Sequence, residues 1–232
     1  MVHVDALVLD YGGVLCCDQP ATLLETMMRS VSATAERWHE AYWRHRRDYD
    51  LGLSAAAYWQ RVLRELARSP LGNGEQPQGR PALATFQRDT SDDELISALI
   101  ELDAKSWLVY REEVWDIARQ CRARGTRVAM LSNGVPEVMS CLRADRPLDE
   151  WFDAVVVSYE LGIVKPDPAI YQACLDRLTV APARALFVDD RRENVEAAAQ
   201  LGWQTLHFTG EDAVPRLRAM VGEPSSHVAR GL

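Results

Sequence analysis

The sequence predicts an α/β fold built on a doubly wound parallel sheet, with an α-helical domain inserted after the first strand. Three observations carry this reading. Five short apolar runs are continuous rather than alternating, the pattern of strands covered on both faces. The last four are separated by helical stretches, and strand–helix alternation calls for a parallel sheet with right-handed crossovers. Between the first two runs, Asp18 to Arg124 is almost wholly helical in pattern and too long for a single crossover.

In chain order, the first strand is Ala6–Leu9. The inserted helices are Pro20–Val31, Thr34–Tyr49, Ala55–Arg68 behind the N-cap Ser54, and Asp92–Ser106 behind Ser91. Residues 69–90, rich in Gly, Pro and Gln, read as a long loop. Glu112–Arg124, stopped by Gly125, leads back to the sheet. The remaining strands are Val128–Leu131, Ala154–Val157, Ala185–Val188 and Thr205–Phe208. The helices between them are Pro136–Arg143, then Pro168–Leu178 with Asp167 as N-cap, then Arg191–Leu201 with Gly202 at C′. The tail from Gly222 reads as loose. Residues 1–17 and 110–232 thus form the α/β core, and 18–109 the helical insertion.

Lys and Arg number 26 against 34 Asp and Glu, a net charge of −8. An acidic chain argues against non-specific binding to nucleic acid or a membrane surface. No apolar run approaches the roughly 20 residues of a membrane helix. The start, MVHVDALVLDYGG, lacks the basic segment of a secretory signal. Cys16, Cys17, Cys121, Cys141 and Cys174 are odd in number and contain no CxxC, which suits reduced thiols and a cytoplasmic location. A monomer and a homodimer are equally compatible with the sequence.

In a parallel sheet the carboxyl ends of all strands share one edge, where ligands bind. Asp10-Tyr11-Gly12-Gly13 follows the first run, Ser132-Asn133-Gly134 the second, Lys165-Pro166-Asp167 the third and Asp189-Asp190-Arg191 the fourth. Carboxylates, a hydroxyl and an ammonium are therefore expected together. This set suits phosphoryl transfer. An ionised Asp can attack phosphorus, a divalent cation with oxygen ligands relieves the repulsion among carboxylates and phosphate, and Ser and Lys hold phosphoryl oxygens. Taken singly these residues have plainer readings: Asp10 as a turn residue, Ser132-Asn133 as caps of the next helix, Asp189-Asp190 as caps of the Arg191 helix.

The motifs LVLDYGGVL, MLSNG, KPDPAIY and FVDDRRENV, in that order, resemble the haloacid dehalogenase (HAD) superfamily, in its phosphatase-like branch with a helical cap. The resemblance covers the whole chain and implies a Rossmann-like core and a Mg²⁺-dependent hydrolase of a small phosphorylated metabolite. It implies that Asp10 is the nucleophile and forms an aspartyl-phosphate. Mg²⁺ would take Asp10, the Gly12 carbonyl and Asp190, with Asp189 and Asn194 close by. Ser132, Asn133, Gly134 and Lys165 would bind the substrate, Lys165 also orienting Asp10.

One position departs from the family pattern. The second Asp that such phosphatases carry two residues after the nucleophile, as acid and base, is Gly12 here. Three readings follow. The leaving group needs little help, or Asp18, His39 or His45 supplies its proton; some sugar-phosphate phosphatases of this superfamily are similar in having Gly there. Alternatively the protein binds a phosphorylated ligand with little turnover. The third reading is a 2-haloacid dehalogenase, against which stand the position of Tyr11, one residue early and on the opposite face, and the metal-like Asp189-Asp190 pair.

In the inserted domain, Trp38, Tyr42 and Tyr49 share a helical face and read as core. Arg44, Arg46 and Arg47 read as a solvated face, the sharper alternative being that one Arg, or His45, reaches the substrate. His207, Trp107, Trp115, Trp151 and Trp203 read as packing.

Overall fold

The computed structural model describes residues 4–68 and 91–222. The loop expected at 69–90 and the tail beyond Gly222 lie outside the described residues. In chain order the elements are β1 (Ala6–Leu9), α1 (Ala21–Ser30), α2 (Ala35–Arg44), α3 (Arg46–Asp50), α4 (Ala55–Ala67), α5 (Asp92–Ser106) and α6 (Glu112–Ala123). Then come β2 (Arg127–Ser132), α7 (Pro136–Asp145), α8 (Leu148–Trp151), β3 (Ala154–Val157), α9 (Ser158–Leu161) and α10 (Pro168–Leu178). The chain continues through β4 (Ala185–Asp189), α11 (Arg192–Gln200), β5 (Gln204–His207) and α12 (Ala213–Met220).

All strand pairs are parallel, in the order β3-β2-β1-β4-β5. The uninterrupted apolar character of β1 has a direct cause. Leu7 and Leu9 pack into one hydrophobic cluster, Ala6 and Val8 into another on the opposite face of the sheet. A strand buried on both sides has no position for a polar residue until it ends. Asp10 is where β1 ends. Leu9 pairs with Val188, so Asp10 and Asp189 leave the sheet side by side.

The insertion is helical, as expected, and α4 and α5 start behind side-chain caps from Ser54 and Ser91, the latter a full capping box with Glu94. Its interior is aromatic: Trp38 stacks on Tyr42 at 6.0 Å, and Tyr49 on Tyr58 at 4.4 Å between ring centres. Two expectations are corrected here. The single helix Thr34–Tyr49 is two, α2 and α3, broken at His45 (φ −105°, ψ 0°). The break re-phases the chain, so Arg46 turns inward and is 8% exposed instead of solvated, while Arg44 and Arg47 remain outside. Farther on, Ser132 and Asn133 do not cap α7. That helix starts at Pro136, as expected, but behind Val135 and without a side-chain cap.

Among the described residues no helix is long and apolar enough to cross a membrane. None of the five cysteines forms a disulfide among the described residues.

Candidate active site

The strand-end residues converge. Lys165, 4% exposed, places Nζ 2.8 Å from Asp10 Oδ1 and 2.6 Å from Asp189 Oδ2. Burial alone would pull its ammonium down, but Asp10 and Asp189 outweigh that and hold it above the ordinary lysine range. Burial pushes the Asp10 carboxyl well above the usual carboxylate range; Lys165 opposes the shift and Asp189 adds to it. Asp10 also accepts a hydrogen bond from the Tyr11 amide at 2.6 Å.

Asp10, Asp189 and Asp190 bring carboxylate oxygens within 4.8 Å of one another. Burial, and next the Asp189 charge, push Asp190 up. Three carboxylates thus face one ammonium in a low-dielectric setting, and the excess negative charge favours holding a cation. The donor set is all oxygen, which fits Mg²⁺.

The two adjacent aspartates differ in role. Asp189 is wholly buried and already accepts from Lys165 Nζ, from the Arg191 amide at 2.8 Å and, through both oxygens, from Asn194 Nδ2 at 3.0 and 3.1 Å. It therefore anchors Lys165, Asn194 and the turn into α11. Asp190 is the member that lines the cavity with Asp10.

At the end of β2, Ser132 lines the same cavity, 3% exposed. Asn133 also lines this cavity, and its carboxamide makes bonds that the sequence does not announce. Its Oδ1 accepts from the Lys165 amide at 2.7 Å, and its Nδ2 donates to the Lys165 carbonyl at 3.0 Å. Its carboxamide clamps the lysine loop. Gly134 donates its amide to Ser158 Oγ at 3.1 Å, so that N–H is not turned to a phosphate, and a Cβ there would lie 2.9 Å from Val157 Cγ1. Glycine at 134 serves close packing.

The cavity over Asp10 holds about 320 Å³ and opens beside a second space of about 610 Å³. Its far wall comes from the helical insertion: Arg46 and Asp50 of α3, Trp43 of α2 and Trp107 after α5. Arg46 sits over the rings of Tyr42, Trp43, Tyr49 and Trp107 at 5.5–5.9 Å. Its Nη1 donates to Tyr42 Oη and its Nε to Asp50 Oδ1. Trp107 is therefore more than packing. Tyr11 donates its hydroxyl to the Trp107 carbonyl at 2.6 Å, fixing that residue over Gly12.

Of the cap-side acids the sequence suggests, Asp18 lines this cavity but is exposed, His39 lines only the adjoining space, and His45 lines neither. Sequence reasoning missed Asp50. The signal was an acid four residues after a buried-to-be arginine, and it becomes visible once the helix break at His45 is known. Cys17 lines the cavity, whereas the Cys16 thiol is buried and pushed up to about 12, which keeps it protonated. His207 bonds the Asp190 carbonyl at 2.9 Å and supports the β4 turn. Trp115 and Trp203 are buried.

Comparison with known proteins fits this arrangement. The mouse (Mus musculus) protein named acyl-CoA dehydrogenase family member 10 is 43% identical over 107 residues, 45% of this chain and 10% of that protein. (S)-2-haloacid dehalogenase 4A of Burkholderia cepacia is 31% identical over 137 residues, 58% of this chain and 57% of its own. D-ribitol-5-phosphate phosphatase of Bacteroides thetaiotaomicron is 30% identical over 141 residues, 56% of this chain and 68% of its own. The chain thus spans a tenth of the first of these relatives and just over half of the second. In fold it is similar to a HAD family enzyme from Bacteroides thetaiotaomicron solved with magnesium and inorganic phosphate (TM-score 0.63, 19% identity, 98% of this chain and 100% of that one). A family profile described as haloacid dehalogenase-like hydrolase matches residues 4–202, nearly the whole described chain, and with it the protein belongs to that family.

Proposed function

We propose that the protein is a Mg²⁺-dependent phosphatase of a small phosphorylated metabolite that works through an aspartyl-phosphate on Asp10. The observation that carries this reading is the Asp10–Lys165–Asp189 triad beside Asp190, a metal-fitting carboxylate cluster at the mouth of a cavity.

An Asp10 oxygen forms the new bond to phosphorus as the ester P–O bond breaks. Lys165 holds the nucleophile from one side and offsets charge on the phosphoryl oxygens. Ser132 donates its hydroxyl to one of those oxygens. Asn133 positions Lys165 through its backbone, and Asp189 keeps the ammonium aimed at Asp10. Bound by Asp10, Asp190 and the Gly12 carbonyl, with Asp189 and Asn194 beside it, Mg²⁺ would neutralise charge between nucleophile and phosphate. The helical insertion, taken as residues 18–109, acts as a cap that limits water at the reacting centre. Water then hydrolyses the aspartyl-phosphate.

The test is phosphate release over a panel of small phosphate esters, with Mg²⁺ and with EDTA. The expected result is Mg²⁺-dependent release that is lost in Asp10→Asn. Silence of the wild-type protein on every ester, or an active Asp10→Asn, overturns the reading. Metal-independent chloride release from a 2-haloacid would replace it with dehalogenation.

A further inference from the structure

The position two residues after Asp10 is Gly12, so that part of the chain offers no acid to the leaving oxygen. The acids lining the cavity shared with Asp10 are Asp18, Asp50 and Asp190. Asp190 belongs to the metal-fitting cluster, and Asp18 is exposed. Asp50 is buried, 8% exposed, and lines both this cavity and the space that adjoins it.

Asp50 is also held in place. Its Oδ1 accepts from Arg46 Nε at 2.9 Å, and its Oδ2 has no hydrogen-bond partner among the described residues. Its backbone carbonyl accepts from Ser158 Oγ at 2.6 Å, and that same oxygen accepts from the Gly134 amide. One serine hydroxyl therefore ties the end of α3 to the loop after β2, which carries Ser132. The backbone of Asp50 is thus tied to the core that holds the nucleophile, while its carboxyl is held by Arg46.

We infer that Asp50 is the proton donor to the leaving oxygen, a catalytic residue supplied from the helical insertion in the role that Gly12 leaves open. The inference rests on the phosphatase reading of this site. As the Asp10 O–P bond forms and the P–O ester bond breaks, the electron pair of that ester bond passes to the leaving oxygen. That oxygen takes the proton from Asp50 Oδ2 and departs as an alcohol. Asp50, now a carboxylate, is stabilised by Arg46. In the second step it takes a proton from the attacking water, which restores the acid. Burial pushes the Asp50 carboxyl above its ordinary range, and Arg46, then Lys165 and Arg191, oppose that shift. Asp190, His39, Arg47 and Glu193 are the other ionisable groups lining the space beside it.

The experiment compares kcat/KM, which reports steps through loss of the leaving group, for an alkyl phosphate and for 4-nitrophenyl phosphate. A phenolate leaves without protonation and an alkoxide does not. Asp50→Asn keeps the acceptor for Arg46 and removes the proton. The expected outcome is a loss of roughly 10²–10⁴-fold on the alkyl ester, the usual scale of general acid catalysis, and a far smaller loss on the nitrophenyl ester. Equal losses on both, or none on either, overturn the assignment while leaving the phosphatase reading intact. The alkyl phosphate is chosen from the panel esters that the wild type hydrolyses, and wild-type silence on the whole panel overturns the two together. If Asp50→Asn fails to fold, the wild-type protein still decides. Its kcat/KM should depend weakly on leaving-group basicity across a series of esters, and a steep dependence would mean that no acid acts there.

Discussion

A Cβ built on Gly13 lies 2.6 Å from the Asp190 carboxyl carbon, and Gly13 itself sits at φ +70°. The turn after β1 thus passes so close to the turn after β4 that only a residue without a side chain fits between them. The positive φ alone costs an L-residue about 1–2 kcal/mol. Adding a methyl group pushes Asp190 away from Asp10. Gly13→Ala should therefore lose Mg²⁺ affinity as well as stability. The check is the rise in melting temperature on adding Mg²⁺. A ligand at 100 times its Kd adds about 2.7 kcal/mol, and Gly13→Ala should show a much smaller rise than wild type. An equal rise would mean the approach is not tight.

Gly12 is the contrasting case. Its φ of −63° and ψ of 131° suit any residue, and the nearest atom to an added Cβ is Trp107 Cζ3 at 3.7 Å, an ordinary contact. Nothing in the backbone demands glycine there. Gly12→Asp should fold with a melting temperature close to wild type. In the Asp50→Asn background it should recover much of the lost alkyl-phosphate turnover, since it returns an acid to the cavity. Assay of the double variant beside each single variant checks this, and additive losses would count against it.

Lys165→Met removes the ammonium from between Asp10 and Asp189. Breaking a buried ion pair from one side costs roughly 3–5 kcal/mol because the remaining charge is uncompensated. For a chain of this size that is on the order of 6–20 °C in melting temperature. The sign follows from Lys165 being held above its ordinary value. Its contribution is complete below the unfolded lysine pKa and is lost only as pH rises through the folded one, so at neutral pH the full effect should appear. Calorimetry of metal-free wild type and variant checks it. A shift within a degree or two would mean the pair is solvated.

The strand-end chemistry was legible in the sequence because β1 and β4 are buried on both faces, so that Asp10 and Asp189 interrupt unbroken apolar runs. Parallel topology then brings those ends together without further information. The far wall was not legible. Whether Arg46 faces water or the cavity depends on a one-residue break at His45, and the local pattern of bases and aromatics reads equally well as a continuous helix. Asn133 shows a similar limit. The family resemblance implied a phosphate contact, and nothing in the sequence pointed to the bonds its carboxamide makes to the loop bearing Lys165, far along the chain. Long-range partners decide such roles, and spacing does not encode them.

A second buried acid, Asp103, is linked to Asp50 through Tyr42 and Arg46. Asp103 Oδ1 accepts from Tyr42 Oη at 2.7 Å and from Gln19 Nε2 at 3.2 Å, and Tyr42 Oη in turn accepts from Arg46 Nη1. Burial pushes Asp103 above its ordinary range, Arg46 and then Tyr42 opposing. The folded protein therefore binds a proton at Asp103 more readily than the unfolded chain does. With more protons bound in the native state, stability falls as pH rises from about 3.9, the unfolded value, through the raised folded one. Asp103→Asn keeps an oxygen acceptor for both donors and removes the titration. Its unfolding free energy should decline less with pH across that window, so that its stability relative to wild type improves toward neutral pH. Urea unfolding of both proteins over a pH series measures this directly. Parallel curves would show that Asp103 keeps its ordinary ionisation and that Arg46, not burial, governs it.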